Sequence, residues 1–197
     1  MGECNAPPKF GIFIIMDNYI RKYENVVSDE FCDALIEKFE SHPEQQENLF
    51  QGLMSLTHLE MMRPDTQIWN KDVMHLVDVF KKYVTVYKNE CKIEAVMWPD
   101  KYLVESFRIK RYLPNDIDQF GPHVDSKDVN SCKRFLAFFL YLDNNDGGST
   151  MFPQMDITSK CKKGSLLVFP PLWPWLHEGK KPIDKPKYIV GSYLKYV

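Results

Sequence analysis

The sequence predicts a mainly β domain with flanking helices (α+β), a sandwich or barrel core behind an N-terminal helical support layer. Three observations carry this reading. After about residue 100 the chain breaks into short β-rich runs separated by Gly, Asn, Asp and Pro. Between residues 28 and 90 apolar side chains recur instead at intervals of three and four. No repeat, low-complexity tract or linker divides the halves, so the 197 residues read as a single domain, 1–197, with helical support at about 20–95 and the β core at about 100–197.

Ser28 is a candidate N-cap, followed by Asp29 and Glu30 in the first turn, where the helix dipole favours negative charge. Phe31, Ala34, Leu35 and Phe39 then mark one buried face. A second, longer helix opens at Asn70. Val73, Leu76, Val77, Phe80, Val84 and Tyr87 form its apolar stripe, and Lys71, Lys81, Lys82 and Lys88 stay outside. The connection near residues 42–69 reads as irregular.

Strands are expected at 102–112, 119–125, 134–143, 150–152, 165–169 and 187–196. Asn144, Asn145, Asp146, Gly147 and Gly148 read as a turn, as do Lys162, Lys163 and Gly164, and Pro170 and Pro171 read as a stop. The aromatic run Phe135, Phe138, Phe139 and Tyr141 suits a strand buried on both faces.

Charge narrows the partners. The 25 basic and 27 acidic residues leave a net charge of -2, without a basic run, so neither nucleic acid nor a membrane surface is an expected partner. A peptide or protein, or a small molecule, is. The 5 cysteines are scattered, without a Cys-x-x-Cys pair, which speaks against a disulfide framework or a zinc ribbon and for a reducing compartment. The apolar run at 10–16 is too short to span a bilayer and lacks the flanks of a signal peptide, and Ala6 leaves the Gly2 myristoylation pattern incomplete. A cytoplasmic location is the expectation.

One spacing stands apart. In a strand, residues i and i+2 face the same side, so His123 and Asp125 can reach one ion, and His177 can close the set from a neighbouring strand. Two imidazoles and one carboxylate leave coordination positions open, the arrangement of non-heme Fe(II) oxygenases. Ten residues after His177, Lys187 opens the last apolar run. A cation inside a barrel needs an anionic partner, and the distal carboxylate of a 2-oxo acid chelated at the metal would supply it, with Tyr112 or Tyr141 adding a hydroxyl donor.

These residues, in this order, resemble the 2-oxoglutarate and Fe(II)-dependent dioxygenases, specifically the prolyl 4-hydroxylase-like branch. Arg111-Tyr112, Gly121-Pro122-His123-Val124-Asp125, Tyr141-Leu142-Asp143, the stretch from Gly147 to Pro153 and the stretch from Lys163 to Pro170 resemble it as well. Between Tyr112 and His123, where many relatives carry a Gly and a second Tyr, this chain reads Leu113 to Phe120. The resemblance implies a double-stranded β-helix, or jelly roll. It implies His123, Asp125 and His177 as iron ligands, and Lys187, Tyr112 and Tyr141 as the grip on 2-oxoglutarate. Arg134 would stand at the substrate face. Fe(II), 2-oxoglutarate and O2 would be consumed or held, with ascorbate as an optional reductant. The implied reaction hydroxylates an unactivated C–H bond, with a prolyl residue of a peptide or protein as first substrate, and releases succinate and CO2. A free amino acid or other small molecule is the alternative substrate, and a non-catalytic jelly-roll binding module is the alternative from another class.

His58 and Glu60 repeat the His-x-acid pattern but have no downstream partner at the right spacing, so they read as structural filler. His75 reads as solvated, and His42 as placed at a helix C-terminus where the dipole favours it. Cys132 and Cys161 read as small hydrophobes, since iron in this geometry takes nitrogen and oxygen.

Overall fold

The computed structural model describes residues 19–197. The apolar run 10–16, the Gly2 pattern and Cys4 lie outside the described residues. The two expected helices are present as α1 (Asp29–Glu40) and α2 (Asn70–Glu90), and the Ser28 side chain accepts the Phe31 amide of α1 at 3.2 Å. No helix among the described residues is long and apolar enough to cross a membrane.

The strands are β1 (Arg21–Tyr23), β2 (Glu47–Gln51), β3 (Met54–Glu60), β4 (Tyr102–Val104), β5 (Arg108–Tyr112), β6 (Gln119–His123), β7 (Arg134–Tyr141), β8 (Asn145–Phe152), β9 (Ile157–Cys161), β10 (Leu166–Phe169), β11 (His177–Gly179) and β12 (Lys187–Tyr196). They pair antiparallel in the order β1, β10, β7, β12, β5, β3, β6, β11, β8, β9, with β2 on β3 and β4 on β12. The sheet is nearly closed and jelly-roll-like, as expected.

Side chains alternate across a strand, so the long central strands feed two cores. Leu136, Phe138 and Leu140 of β7, Leu166 and Val168 of β10, and Tyr188, Val190 and Leu194 of β12 pack outward against Leu35, Phe39, Leu76, Phe80 and Tyr87 of the helices. The intervening residues, Ala137, Phe139 and Tyr141, Leu167 and Phe169, and Ile189 and Tyr193, face inward and line the barrel with Tyr112 and Phe152. The helices thus support one face of the sheet while the other encloses the site.

Three local expectations are corrected. Residues 42–69 are not simply irregular: β2 and β3 form a hairpin, turned at Gly52 with φ 58°, a conformation that favours glycine, and β3 enters the main sheet beside β5 and β6. Its half-buried mixture of polar and apolar residues hides the period-2 signal. The expected turn from Asn144 to Gly148 is instead largely strand, with an irregularity in the β8–β9 pairing between Asn145 and Thr150. Its glycines serve close approach, since a Cβ on Gly148 would lie 2.7 Å from Cδ of Lys187 and one on Gly147 2.5 Å from Cγ1 of Ile183. Finally, the expected 102–112 strand is two pieces, β4 and β5, both paired with β12.

Candidate metal centre

His123 ends β6 and His177 begins β11, and the two residues are direct partners in the β6–β11 ladder. Asp125 follows two residues after His123. The ligand atoms of the three side chains lie within 4.8 Å of one another, with His123 Nε2 at 3.5 Å from Asp125 Oδ1 and His177 Nε2 at 3.3 Å from Asp125 Oδ2.

Both imidazoles are oriented by the backbone. Nδ1 of His123 donates to the Gly121 carbonyl at 2.7 Å, and Nδ1 of His177 donates to the Trp175 carbonyl at 3.0 Å. That fixes the tautomer, with the Nε2 lone pairs turned toward Asp125. The Phe120 ring stacks on His123 at 3.5 Å, and Phe139, Phe152 and Phe169 surround His177. Burial opposes the charged carboxylate of Asp125, yet His177 and His123 hold it well below the usual carboxylate range. Burial also pushes the His123 imidazole down, which keeps it neutral and available as a ligand.

The donor set fits a metal ion. Nε2 of His123, Oδ2 of Asp125 and Nε2 of His177 are buried without a hydrogen-bond partner, an arrangement that costs free energy unless a cation satisfies all three. Two nitrogens and a carboxylate are the ligands of an open, facial Fe(II) site.

Asp125 is held from behind. The Tyr193 hydroxyl donates to Oδ1 at 2.8 Å. Arg134 donates from Nη1 to the Asp125 carbonyl at 3.2 Å, pairs through Nε and Nη2 with the Glu105 carboxylate, and lies 4.2 Å above the Tyr193 ring. Arg134, expected at the substrate face, lines the wall of the cavities beside the triad with its guanidinium tied to these groups. Tyr193 was not singled out by spacing, although it shares the inward face of β12 with Lys187 and Ile189, six residues on, and that periodicity is its signal.

Lys187 is 1% exposed and makes no hydrogen bond or ion pair among the described residues. Its ammonium lies 5.1 Å from the Tyr112 ring, and Tyr112 is its ladder partner. Burial lowers its pKa to about 8. The stem passes Gly148, and a Cβ on Gly179 would lie 3.5 Å from Nζ. A buried cation facing glycines suits the distal carboxylate of 2-oxoglutarate, so the residues fit the cosubstrate as well as the metal. Tyr112 is buried and its hydroxyl makes no hydrogen bond among the described residues. The Tyr141 hydroxyl instead donates to Thr150 Oγ1 at 2.8 Å and approaches Ser159 Oγ at 3.3 Å. Burial raises the pKa of both phenols, so they remain protonated donors.

The pair His58 and Glu60 lies on β3, in the main sheet. His58 lines a cavity beside Asp125 without joining the triad. His75 is exposed, with its ring against Phe31, and His42 Nδ1 lies 2.8 Å from the Lys38 carbonyl at the end of α1. Lys110, also on the cavity wall, is a further residue that the sequence reading missed. It stands two residues before Tyr112 on β5 and so shares its inward face.

The fold and triad fit an iron-dependent oxygenase, and the comparisons point the same way. Residues 107–195 match the family model of the 2OG-Fe(II) oxygenase superfamily. No curated protein sequence matches the chain. Among solved structures, the viral collagen prolyl hydroxylase of Paramecium Bursaria Chlorella virus-1, in complex with 2OG, superposes with TM-score 0.66 at 22% identity, covering 93% of this chain and 99% of its own. A prolyl-4-hydroxylase of Pseudomonas putida gives TM-score 0.66 at 12% identity, covering 90% and 92%. A prolyl hydroxylase in complex with a hypoxia inducible factor oxygen degradation domain peptide fragment, from Trichoplax adhaerens, gives 0.66 at 12%, covering 90% and 84%. Residues 107–195 thus match the 2OG-Fe(II) oxygenase superfamily model, the solved structures share the fold, and the His-Asp-His set and the buried Lys187 fit Fe(II) and 2-oxoglutarate.

Proposed function

We propose that this protein is an Fe(II)- and 2-oxoglutarate-dependent dioxygenase that hydroxylates a prolyl residue within a peptide or protein, releasing succinate and CO2. The observation that carries this reading is the open groove over the triad. Gln51, Leu53 and Met54 of the β2–β3 hairpin form one wall, the segment from Phe120 to Asp125 forms the floor, and Lys127, Asp128 and Arg134 form the far side, enclosing about 430 Å³. A groove open at the surface admits an extended chain, whereas an enzyme for a free amino acid needs an enclosed pocket. The three solved structures named above are described as prolyl hydroxylases, one of them with a bound peptide, which supports the same substrate class, although an alpha ketoglutarate dependent epimerase shares the fold as well.

His123, Asp125 and His177 would hold the iron, and Lys187 with Tyr112 would hold the distal carboxylate of 2-oxoglutarate, Tyr141 supporting that wall through Thr150. Bound Fe(II) and 2-oxoglutarate supply the O2 chemistry that inserts oxygen into the C–H bond. The protein side chains transfer no proton in this scheme. Tyr193 and Arg134 keep Asp125 aligned, and Phe139, Phe152 and Phe169 exclude water from the His177 side. The complete triad weighs against a non-catalytic binding module.

The test is incubation of the Fe(II)-loaded enzyme with 2-oxoglutarate, O2 and either proline-containing peptides or free amino acids. A gain of one oxygen atom on a peptide prolyl residue is expected. Modification of free amino acids alone would transfer the reading to the small-molecule alternative.

A further inference from the structure

We propose that the substrate carries a carboxylate, supplied by an acidic side chain next to the modified residue, and that Lys110 is the residue that selects it. The proposal rests on the peptide reading above and adds to it a charge requirement.

Behind the open groove lies a second, smaller cavity of about 180 Å³. The two share Met54, Phe120, Asp125 and Arg134 in their walls, so a chain lying in the groove can direct one side chain inward. The volume suits a single short side chain. Lys110 projects into this space from β5. It is 9% exposed and makes no hydrogen bond or ion pair among the described residues. Among the described residues the rings of Phe139 and Phe120 lie over its ammonium at 5.5 Å and 5.7 Å, and the one carboxylate that favours its charge, Asp125, is a metal ligand, so its desolvation is offset only in part.

Other charged groups on the wall are already engaged. Glu105 is paired with Arg134, Arg108 lies 3.3 Å from Glu60, and Asp125 belongs to the metal triad. Lys110 is therefore the cation left over. Two further polar atoms on the same wall lack partners, Nδ1 of His58 and Oγ of Ser106. Burial and the nearby Arg108 charge hold His58 toward its neutral form. A hydroxyl, a neutral imidazole and an ammonium can together satisfy one carboxylate. Lys110 is distinct from Lys187, which faces Tyr112 and Gly179.

The test uses capped seven-residue peptides with a central Pro and one flanking position held as Asp, Glu, Asn, Gln or Lys. Their binding to the Fe(II)-loaded protein with saturating 2-oxoglutarate, kept anaerobic, is read by fluorescence anisotropy, and their hydroxylation after O2 is admitted by mass. Wild type should bind the acidic peptides at least about tenfold more tightly than their amide counterparts, the scale of one charge-assisted hydrogen bond. Lys110→Met should abolish that preference while thermal melting shows a folded protein, and Lys110→Glu should turn it toward the Lys peptides. Equal binding of acid and amide by wild type, or an acid preference that survives in Lys110→Met, overturns the proposal. Hydroxylation of proline peptides without acid preference overturns it and leaves the prolyl reading standing. Acid-selective binding without prolyl hydroxylation does the reverse. Absence of binding to every peptide overturns both.

Discussion

Tyr193 donates its hydroxyl hydrogen to Oδ1 of Asp125 at 2.8 Å, in a pocket where both side chains are buried. The carboxylate is thereby held from behind, leaving Oδ2 without a hydrogen-bond partner, 3.3 Å from Nε2 of His177.

Replacing Tyr193 by Phe should therefore loosen the ligand without removing it. Outer hydrogen bonds of this kind set metal affinity, and the expected loss is about 10- to 100-fold in Fe(II) affinity, with the fold intact. Anaerobic Fe(II) titration followed by circular dichroism measures both. Unchanged affinity would mean that Arg134 alone positions Asp125.

Gly148→Ala should act on the cosubstrate. The new Cβ would fall 2.7 Å from Cδ of Lys187 and 2.8 Å from Oδ1 of Asn145, whose side chain accepts the Gly148 amide. Overpacking of this size costs about 1–3 kcal/mol. Because Lys187 must move, KM for 2-oxoglutarate should rise more than KM for the peptide. A proportional rise in both would argue that Gly148 serves only the backbone.

The buried lysines give the protein without ligands a pH signature. Burial lowers both Lys110 and Lys187 from 10.5 to about 8. Between these values the unfolded chain binds more protons than the folded one, so stability rises with pH through about 8 to 10. Over that window the melting temperature of wild type should rise relative to that of Lys187→Met, a comparison in which the opposing thiols Cys32 and Cys161, pushed by burial up to about 11, cancel. The same variant should be more stable below pH 8 yet bind 2-oxoglutarate far more weakly, since it loses both the desolvation cost and the cation. A difference between wild type and Lys187→Met that stays constant across the window would contradict the burial of uncompensated charge.

The groove makes its own prediction. Leu53 stands exposed at the hairpin turn, packed beside Gly121 on the groove wall. Leu53→Ser should lower kcat/KM for peptides several-fold while leaving KM for 2-oxoglutarate within about twofold, as measured by succinate formation.

Much of this molecule was legible in the sequence where chemistry and spacing coincide. The Ser28 cap, the stripe of α2 and the apolar run of β7 read directly, and His123, Asp125 and His177 stand out because Lys187 follows them in order, ten residues after His177. Other features depend on register, which a sequence does not display. Lys110 reads as an ordinary strand lysine until β5 is seated between β3 and β12 and its even-numbered face turns inward. Gly147 and Gly148 read as turn residues because nothing local reveals that the Lys187 stem crosses them. β3 is hidden because its inner face carries His58 beside Met54 and Leu56 while its other face carries Ser55 and Thr57 before Leu59, so no clean alternation survives.

The central claim is that His123, Asp125 and His177 hold an iron that couples 2-oxoglutarate breakdown to hydroxylation of a prolyl residue. The most direct measurement follows succinate and hydroxylated peptide together, in wild type and in Asp125→Ala, with Fe(II) and O2 each present or withheld. The account predicts one succinate per hydroxyl group in wild type, strict dependence on Fe(II) and O2, and loss of both products in Asp125→Ala. Turnover that persists in Asp125→Ala, or that proceeds without Fe(II), would contradict it.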